Sequence, residues 1–173
     1  MFLGKLYLEK DDYQQALEYH DQALALYEAS QAATDKQWGT LYQLMGLTYE
    51  HLTNYNQALH YQQEALKALA SASDPKLMGQ AHQYLANVYW KQGDYQKAFK
   101  EQRVALELFD RTGDKRLLLL GYSTLGLIFL SIGEPQKALE AERKSLEFAI
   151  EIDAPAEQAT IHKNLGLIYS CLL

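Results

Sequence analysis

One cysteine, Cys171, is all the sequence holds, so no internal disulfide can form and packing alone must hold the fold. That scarcity fits a reducing compartment. Cations are in deficit too. The 16 Lys and Arg stand against 22 Asp and Glu, a net charge of −6. Such a balance lacks the basic face that a nucleic-acid backbone demands. Long apolar stretches are missing: a run such as Leu117 to Leu120 is far short of the ~20 residues that span a bilayer. The start, Met1-Phe2-Leu3-Gly4, has neither a basic region nor a cleavage site, so no secretion signal is expected. No block of like charge is long enough to form an acidic tail. These absences lead to the expectation of a soluble, cytoplasmic protein that binds neither nucleic acid nor membrane.

Catalytic signatures are absent as well. His20, His51, His60, His82 and His162 show no metal-ligand spacing. His82 and His162 fall at sites where other parts of the chain carry Tyr42 and Tyr122, and so read as aromatic stand-ins. Cys171 has no histidine within a helical turn and reads as a small helix residue. Gly93 and Gly133 are turn glycines rather than a phosphate loop. Glu140, Glu142, Glu147 and Glu151 alternate with Lys137, Arg143 and Lys144, which reads as a solvated helix face. No catalytic residue, metal or cofactor is expected, and the chain is not expected to be an enzyme.

What the sequence does have is a repeat. Leu85-Ala86-Asn87-Val88-Tyr89 returns one period later as Leu125-Gly126-Leu127-Ile128-Phe129, and after a second equal step as Leu165-Gly166-Leu167-Ile168-Tyr169. Met45-Gly46-Leu47-Thr48-Tyr49 precedes it by the same step, and Leu3-Gly4-Lys5-Leu6-Tyr7 stands slightly more than one period earlier still. A period of roughly 40 residues signals units that pack on their neighbours into an extended array.

The unit from Asp74 to Gly113 shows the grammar. Asp74 reads as a cap and Pro75 as the first helical residue. Leu77, Ala81, Leu85, Val88 and Tyr89 follow helical spacing in a helix A that runs to about Gln92. Gly93-Asp94 turns the chain. Helix B starts near Tyr95 and carries Ala98, Phe99, Ala105, Leu106 and Leu108. Gly113 ends it, and Asp114 caps the next helix. Further caps are expected at Asp35 and Asp153. Small residues recur where helices must approach: Gly46, Ala86, Gly126 and Gly166 in helix A, and Ala16, Ala58, Ala98 and Ala138 in helix B. Units are expected at 1–34 (clipped at its start), 35–73, 74–113, 114–152 and 153–173 (helix A only), within one domain.

The pattern of a large residue, Leu-Gly, Tyr, Ala and a second Ala is carried in the third unit by His82, Leu85-Ala86, Tyr89, Ala98 and Ala105. It resembles the tetratricopeptide repeat (TPR) family, in the long variant of kinesin light chains, Pins-type adaptors and bacterial TPR signalling proteins. The resemblance implies an all-α, right-handed solenoid of antiparallel helical hairpins. It implies a scaffold or adaptor that holds a peptide segment of a protein partner in a concave groove lined by helix A. The matching groove residues are Gln43, Leu47, Gln83, Tyr84, Asn87, Trp90, Thr124, Leu127 and Asn164. Lys5, Leu8, Glu9, Thr40, Leu44, Glu50, Gln80, Lys91, Leu120, Ser123, Leu130, Ser131, Thr160, Lys163 and Leu167 fall on the same face. Amides there can donate and accept to an extended backbone, while Tyr84, Trp90, Leu47 and Leu127 can receive apolar side chains; the leucines can equally pack on neighbouring units. Members that grip an acidic C-terminal tail use lysines and asparagines on this face. Asn87 matches one such place, but Gln83, Thr124 and Ser131 stand where Lys, Asn and Lys belong.

No polar capping helix is evident at either end. The alternative expectation is therefore a fragment of a longer array that self-associates, as a homo-oligomer, through uncapped ends. Phe2, Leu3 and Leu6 would serve at one end and Ile168, Leu172 and Leu173 at the other.

Overall fold

The computed structural model describes residues 2–30 and 32–172; Leu173 and the side chain of Phe2, both named among the apolar end residues, lie outside the described set. Among the described residues there are nine helices and no strand: α1 (Phe2–Glu9), α2 (Tyr13–Ser30), α3 (Asp35–His51), α4 (Tyr55–Ala72), α5 (Pro75–Lys91), α6 (Tyr95–Thr112), α7 (Lys115–Ser131), α8 (Pro135–Glu151) and α9 (Pro155–Ser170). The odd-numbered helices are the A helices of the repeat, the even-numbered ones the B helices. The fold is all-α, built of helical hairpins. The chain divides into two compact units, residues 1–88 and 89–173, and α5 runs across the boundary.

Local chemistry explains where helices start and stop. Each A-to-B turn reverses through one residue of positive φ: Asp11 at 59°, Thr53 at 58°, Gly93 at 80° and Gly133 at 79°. Glycine takes that conformation freely, whereas the β-branched Thr53 is strained there. Asp12, Asn54 and Asp94 then accept from the backbone N–H three residues on, at 3.2, 3.3 and 3.3 Å, and start the B helices. Asp114 caps α7 through the N–H groups of Arg116 and Leu117, and Asp74 accepts from the N–H of Leu77.

Two expected caps are corrected. Thr34, not Asp35, caps α3, in a reciprocal box with Gln37 that satisfies two end donors at once. Asp153 lies in the left-handed region at φ 50° and closes α8; Ala154 precedes α9 without a side-chain bond. Pro155 at the first helical position has no N–H to satisfy, which lowers the cost of the missing cap.

In the first unit Ala23, Leu41 and Met45 pack with Tyr27, Tyr42 and Tyr61, and Leu69 with Ala65 and Ala81. In the second, Phe109, Leu117 and Leu118 pack with Tyr122 and Phe148, and Leu119 with Ile161 and Leu165. Ile168, expected to be exposed at one end, is 1% exposed. It lies on the core-facing side of α9, and the exposed side carries Leu167 and Tyr169 instead.

The helix-A glycines serve a more specific purpose than close helix approach. A Cβ at Gly46 would lie 2.4 Å from Gln62 Nε2; at Gly126, 2.9 Å from Glu142 Cγ; and at Gly4, 2.4 Å from His20 Cδ2. Each glycine makes room for a polar side chain from the following helix. His20, Gln62, Gln102 and Glu142 hold one repeat position, and all four are fully buried. Glu142 was expected on a solvated face; the notch at Gly126 places it inside. Gln62 Nε2 donates to the carbonyl of Gln43 at 3.1 Å, and Gln102 Nε2 to that of Gly121 at 2.8 Å. Glu142 Oε1 accepts from Asn164 Nδ2 at 2.8 Å and from Ser123 Oγ at 3.2 Å. His20 Nδ1 lies 3.3 Å from Thr48 Oγ1. The Thr48 hydroxyl donates to the carbonyl of Leu44, so the assigned direction here is from the imidazole N–H to the hydroxyl oxygen.

Burial pushes the Glu142 carboxyl up to about 7, and the bonds from Asn164 and Ser123 only partly offset it. Burial pushes the His20 imidazole down to about 4. The signs are opposite. From pH 4.5 to about 7 folded Glu142 keeps a proton that the unfolded chain releases, so stability falls as pH rises, by about 3 kcal/mol in all. From pH 6.5 down to about 4 the unfolded chain takes up a proton that folded His20 refuses, so stability falls as pH drops. Helix-resolved hydrogen-exchange protection should therefore weaken with acid in α1–α4 and with base in α7–α9. Glu142→Gln should abolish the second trend and leave the first; an unchanged trend in α7–α9 would refute the assignment.

Candidate functional site

In the first unit the helix-A face holds a notch of about 380 Å³ lined by Lys5, Thr40, Gln43, Leu44, Leu47, Leu77, Gln80 and Tyr84. It lies between α3 and α5, with Lys5 of α1 at its edge. Leu44, Leu47, Leu77 and the Tyr84 ring make its walls apolar. Gln43 is only 5% exposed; its Nε2 donates to the carbonyl of Leu77 at 2.6 Å, tying α3 to α5 across the floor. The Thr40 hydroxyl is turned back onto the carbonyl of Lys36 at 2.8 Å. Burial, with the negative charge of Glu50, pushes the Tyr84 hydroxyl up, so it stays neutral at neutral pH and can donate or accept.

The second unit repeats the feature two periods on. A notch of about 250 Å³ between α7 and α9 is lined by Leu119, Leu120, Ser123, Ala156, Glu157, Thr160 and Ile161. Thr40, Gln43, Leu77 and Gln80 of the first notch correspond to Leu120, Ser123, Glu157 and Thr160 of the second. Its rim differs in charge, because Glu157 is held by Arg116.

Of the residues expected in the groove, the first notch brings together Gln43, Leu47 and Tyr84. Gln83 and Asn87 are half-buried beside them on α5 and do not line it. In the second unit Leu120, Ser123 and Thr160 of the expected face line the notch, whereas Thr124, Leu127 and Asn164 do not. Trp90 Nε1 donates to Ser131 Oγ at 2.7 Å, and Ser131 Oγ donates to the carbonyl of Leu127 at 2.9 Å, so Trp90 ties α5 to α7. Asn164 is engaged with Glu142. Thr124 and Leu127 are half-buried on α7. The residue missed in the first notch is Leu77, read from its spacing as a core position. The available signal was its place in the first turn of α5, where a side chain sits near the rim of the helix pair.

Among the described residues no group of three or more His, Cys, Asp and Glu is placed to hold a metal ion, and no helix is long and apolar enough to cross a membrane. A tetratricopeptide-repeat profile matches residues 1–71 and 77–151. The chain belongs to the tetratricopeptide repeat family. TPR proteins are typically non-enzymatic scaffolds for protein interaction.

Solved structures agree on the fold. BtubC (BKLC) from P. vanneervenii superposes with a TM-score of 0.85 at 19% identity, covering 98% of this chain and 70% of that one. Aspartyl phosphate phosphatase F from Bacillus subtilis gives 0.86 at 18%, covering 96% and 43%. A Rap protein complexed with competence and sporulation factor gives 0.86 at 15%, covering 97% and 46%. The TPR chain thus spans less than half the length of the latter two. These likenesses establish an all-α helical-repeat solenoid. No curated protein matches the chain.

Three of the expected groove residues, Gln43, Trp90 and Asn164, therefore act as ties within the TPR fold. Gln43→Ala should lower stability by about 1–2 kcal/mol by leaving the Leu77 carbonyl without its partner, and Trp90→Phe by about 1 kcal/mol. Urea midpoints that match the parent chain in both variants would contradict that role.

Proposed function

We propose that this TPR chain is a non-enzymatic binding scaffold that holds a peptide segment of a partner protein on its helix-A face. The supporting observation is the notch that recurs at one repeat register in each unit, apolar in its walls and carrying amides or hydroxyls at its rim. An extended peptide presents a side chain to such a notch and its backbone to the polar groups beside it. The first notch has a volume at the low end for small-ligand sites, about right for one or two side chains. That a Rap protein of the same fold is complexed with competence and sporulation factor supports ligand capture by this architecture. The net charge of −6 disfavours nucleic acid as the partner.

Tyr84 is the decisive residue of the proposal, since a half-buried aromatic at a notch wall is the commonest kind of binding anchor. A displayed-peptide selection against the chain should enrich a shared motif. Tyr84→Ala should weaken the enriched peptides by about tenfold or more at a temperature where the variant, though of lower thermal midpoint, is still fully folded. Enrichment that ignores Tyr84→Ala would place binding elsewhere.

A second reading, self-association, is favoured by α9. Leu167 is 51% exposed and Tyr169 is 47% exposed on one helix, and a Cβ at Gly166 would meet nothing within 4 Å. The mass in solution should then rise with concentration and fall back to monomer with Leu167→Glu and Tyr169→Glu together. A constant mass across concentrations would exclude it.

A further inference from the structure

We infer that the chain associates with a second copy of itself through its B helices: the acidic outer face of α2 in one copy seats in an aromatic, cation-edged furrow between α6 and α8 of the other, with Leu26 entering the furrow.

The furrow lies wholly in the second unit. A depression of about 340 Å³ follows α6 past Phe99, Lys100 and Arg103, and one of about 250 Å³ between α7 and α8 holds Tyr122, Phe129 and Lys144. The Phe99 and Phe129 rings, 5.5 Å apart between centroids, join the two. Cations stand over that aromatic floor. The Arg103 guanidinium is 6.0 Å from the Phe99 ring centroid, and the Lys144 ammonium is 5.2 Å from that of Tyr122. Lys100, Arg103, Lys137 and Lys144 line the furrow against Glu107 and Glu140, which leaves an excess of positive charge. Glu107 reaches Arg103 only across 3.7 Å, with both side chains more than 60% exposed, so the guanidinium stays open to a better-placed acid.

The matching surface is on α2. That helix carries Glu18, Asp21 and Glu28 and no Lys or Arg. Glu18, Gln22 and Leu26 stand one turn apart in a row, Asp21 and Ala25 flank it, and every one of them is exposed. At 69%, Leu26 is the most exposed large apolar side chain among the described residues. An apolar side chain projecting between acids complements an aromatic floor between cations. The opposition falls at equal repeat sites. Aligning Ala16 with Ala98 places Glu18 at the site of Lys100 and Asp21 at that of Arg103. In α4 the same sites hold His60 and Gln63, so the repeat itself demands no acid or base there. The two faces differ, so the contact is heterologous: each copy offers one α2 and one furrow, and assembly runs on or closes a ring. None of these residues lines either helix-A notch, so the pairing is separate from peptide capture.

The test is sedimentation of the whole chain over a wide concentration series at low and high salt. The mass should rise with concentration, and less so in high salt. Glu18→Lys with Asp21→Lys, or Lys100→Glu with Arg103→Glu, should each weaken association by about tenfold or more. An equimolar mixture of the two variants should restore it, because the acidic furrow of one then meets the basic α2 of the other. Leu26→Ser should weaken it without changing its salt dependence. That rescue separates a lost contact from a damaged fold. A constant mass at every concentration overturns the inference and leaves the furrow to a different chain. Reversals that have no effect, or a mixture that fails to restore association, overturn it as well. Association that resists both reversals but yields to Leu167→Glu with Tyr169→Glu belongs to α9 and not to the furrow.

Discussion

The contact on which the rest depends is the one between a helix-A glycine and the polar side chain that fills its notch. A buried amide or carboxyl without a partner costs several kcal/mol, so each has to find one at the moment the helices close. Gln62 finds the carbonyl of Gln43, and Gln102 that of Gly121. Such a bond tolerates little sliding along the helix axis. An apolar pair would slip by a turn at small cost. The polar position thus fixes a register, within the hairpin for Gln62 and Glu142 and toward the next helix A for His20 and Gln102, and within each unit that register sets which helix-A positions face outward. That is why a notch recurs two periods along the chain with corresponding residues on its walls.

Filling the same position with different chemistry gives the repeats individual character. Glutamine is neutral and its site is indifferent to pH. Histidine and glutamate are not, and burial drives each toward its uncharged form. Glu142 has the further property of joining three helices, since its donors come from α7 and α9. Two repeats with a buried titratable side chain at the same position therefore answer protons in opposite ways.

The ties made within the fold also determine what the surface can offer. Gln43, Trp90 and Asn164 look like binding groups in a repeat alignment, yet each closes a bond to a neighbouring helix. Their withdrawal leaves a helix-A face that is more apolar and less hydrogen-bonding than its composition suggests.

The sequence by itself determined the all-α class, the helix order, the positive-φ turns at Gly93 and Gly133, and the caps at Asp74 and Asp114. All of these are local: they follow from capping chemistry, turn conformation and a 3.6-residue period read over one or two turns. Only the tertiary structure decided that Glu142 is buried and not solvated, that Ile168 belongs to the core, and that Leu77 lines a notch. It alone showed which groove amides are occupied. The physical reason is distance along the chain. The partners that settle these side chains lie 19 to 41 residues away, as in Gln62 with Gln43 and Trp90 with Ser131. Helical periodicity says which face a side chain is on; it does not say whether a neighbouring helix has already taken its hydrogen bond.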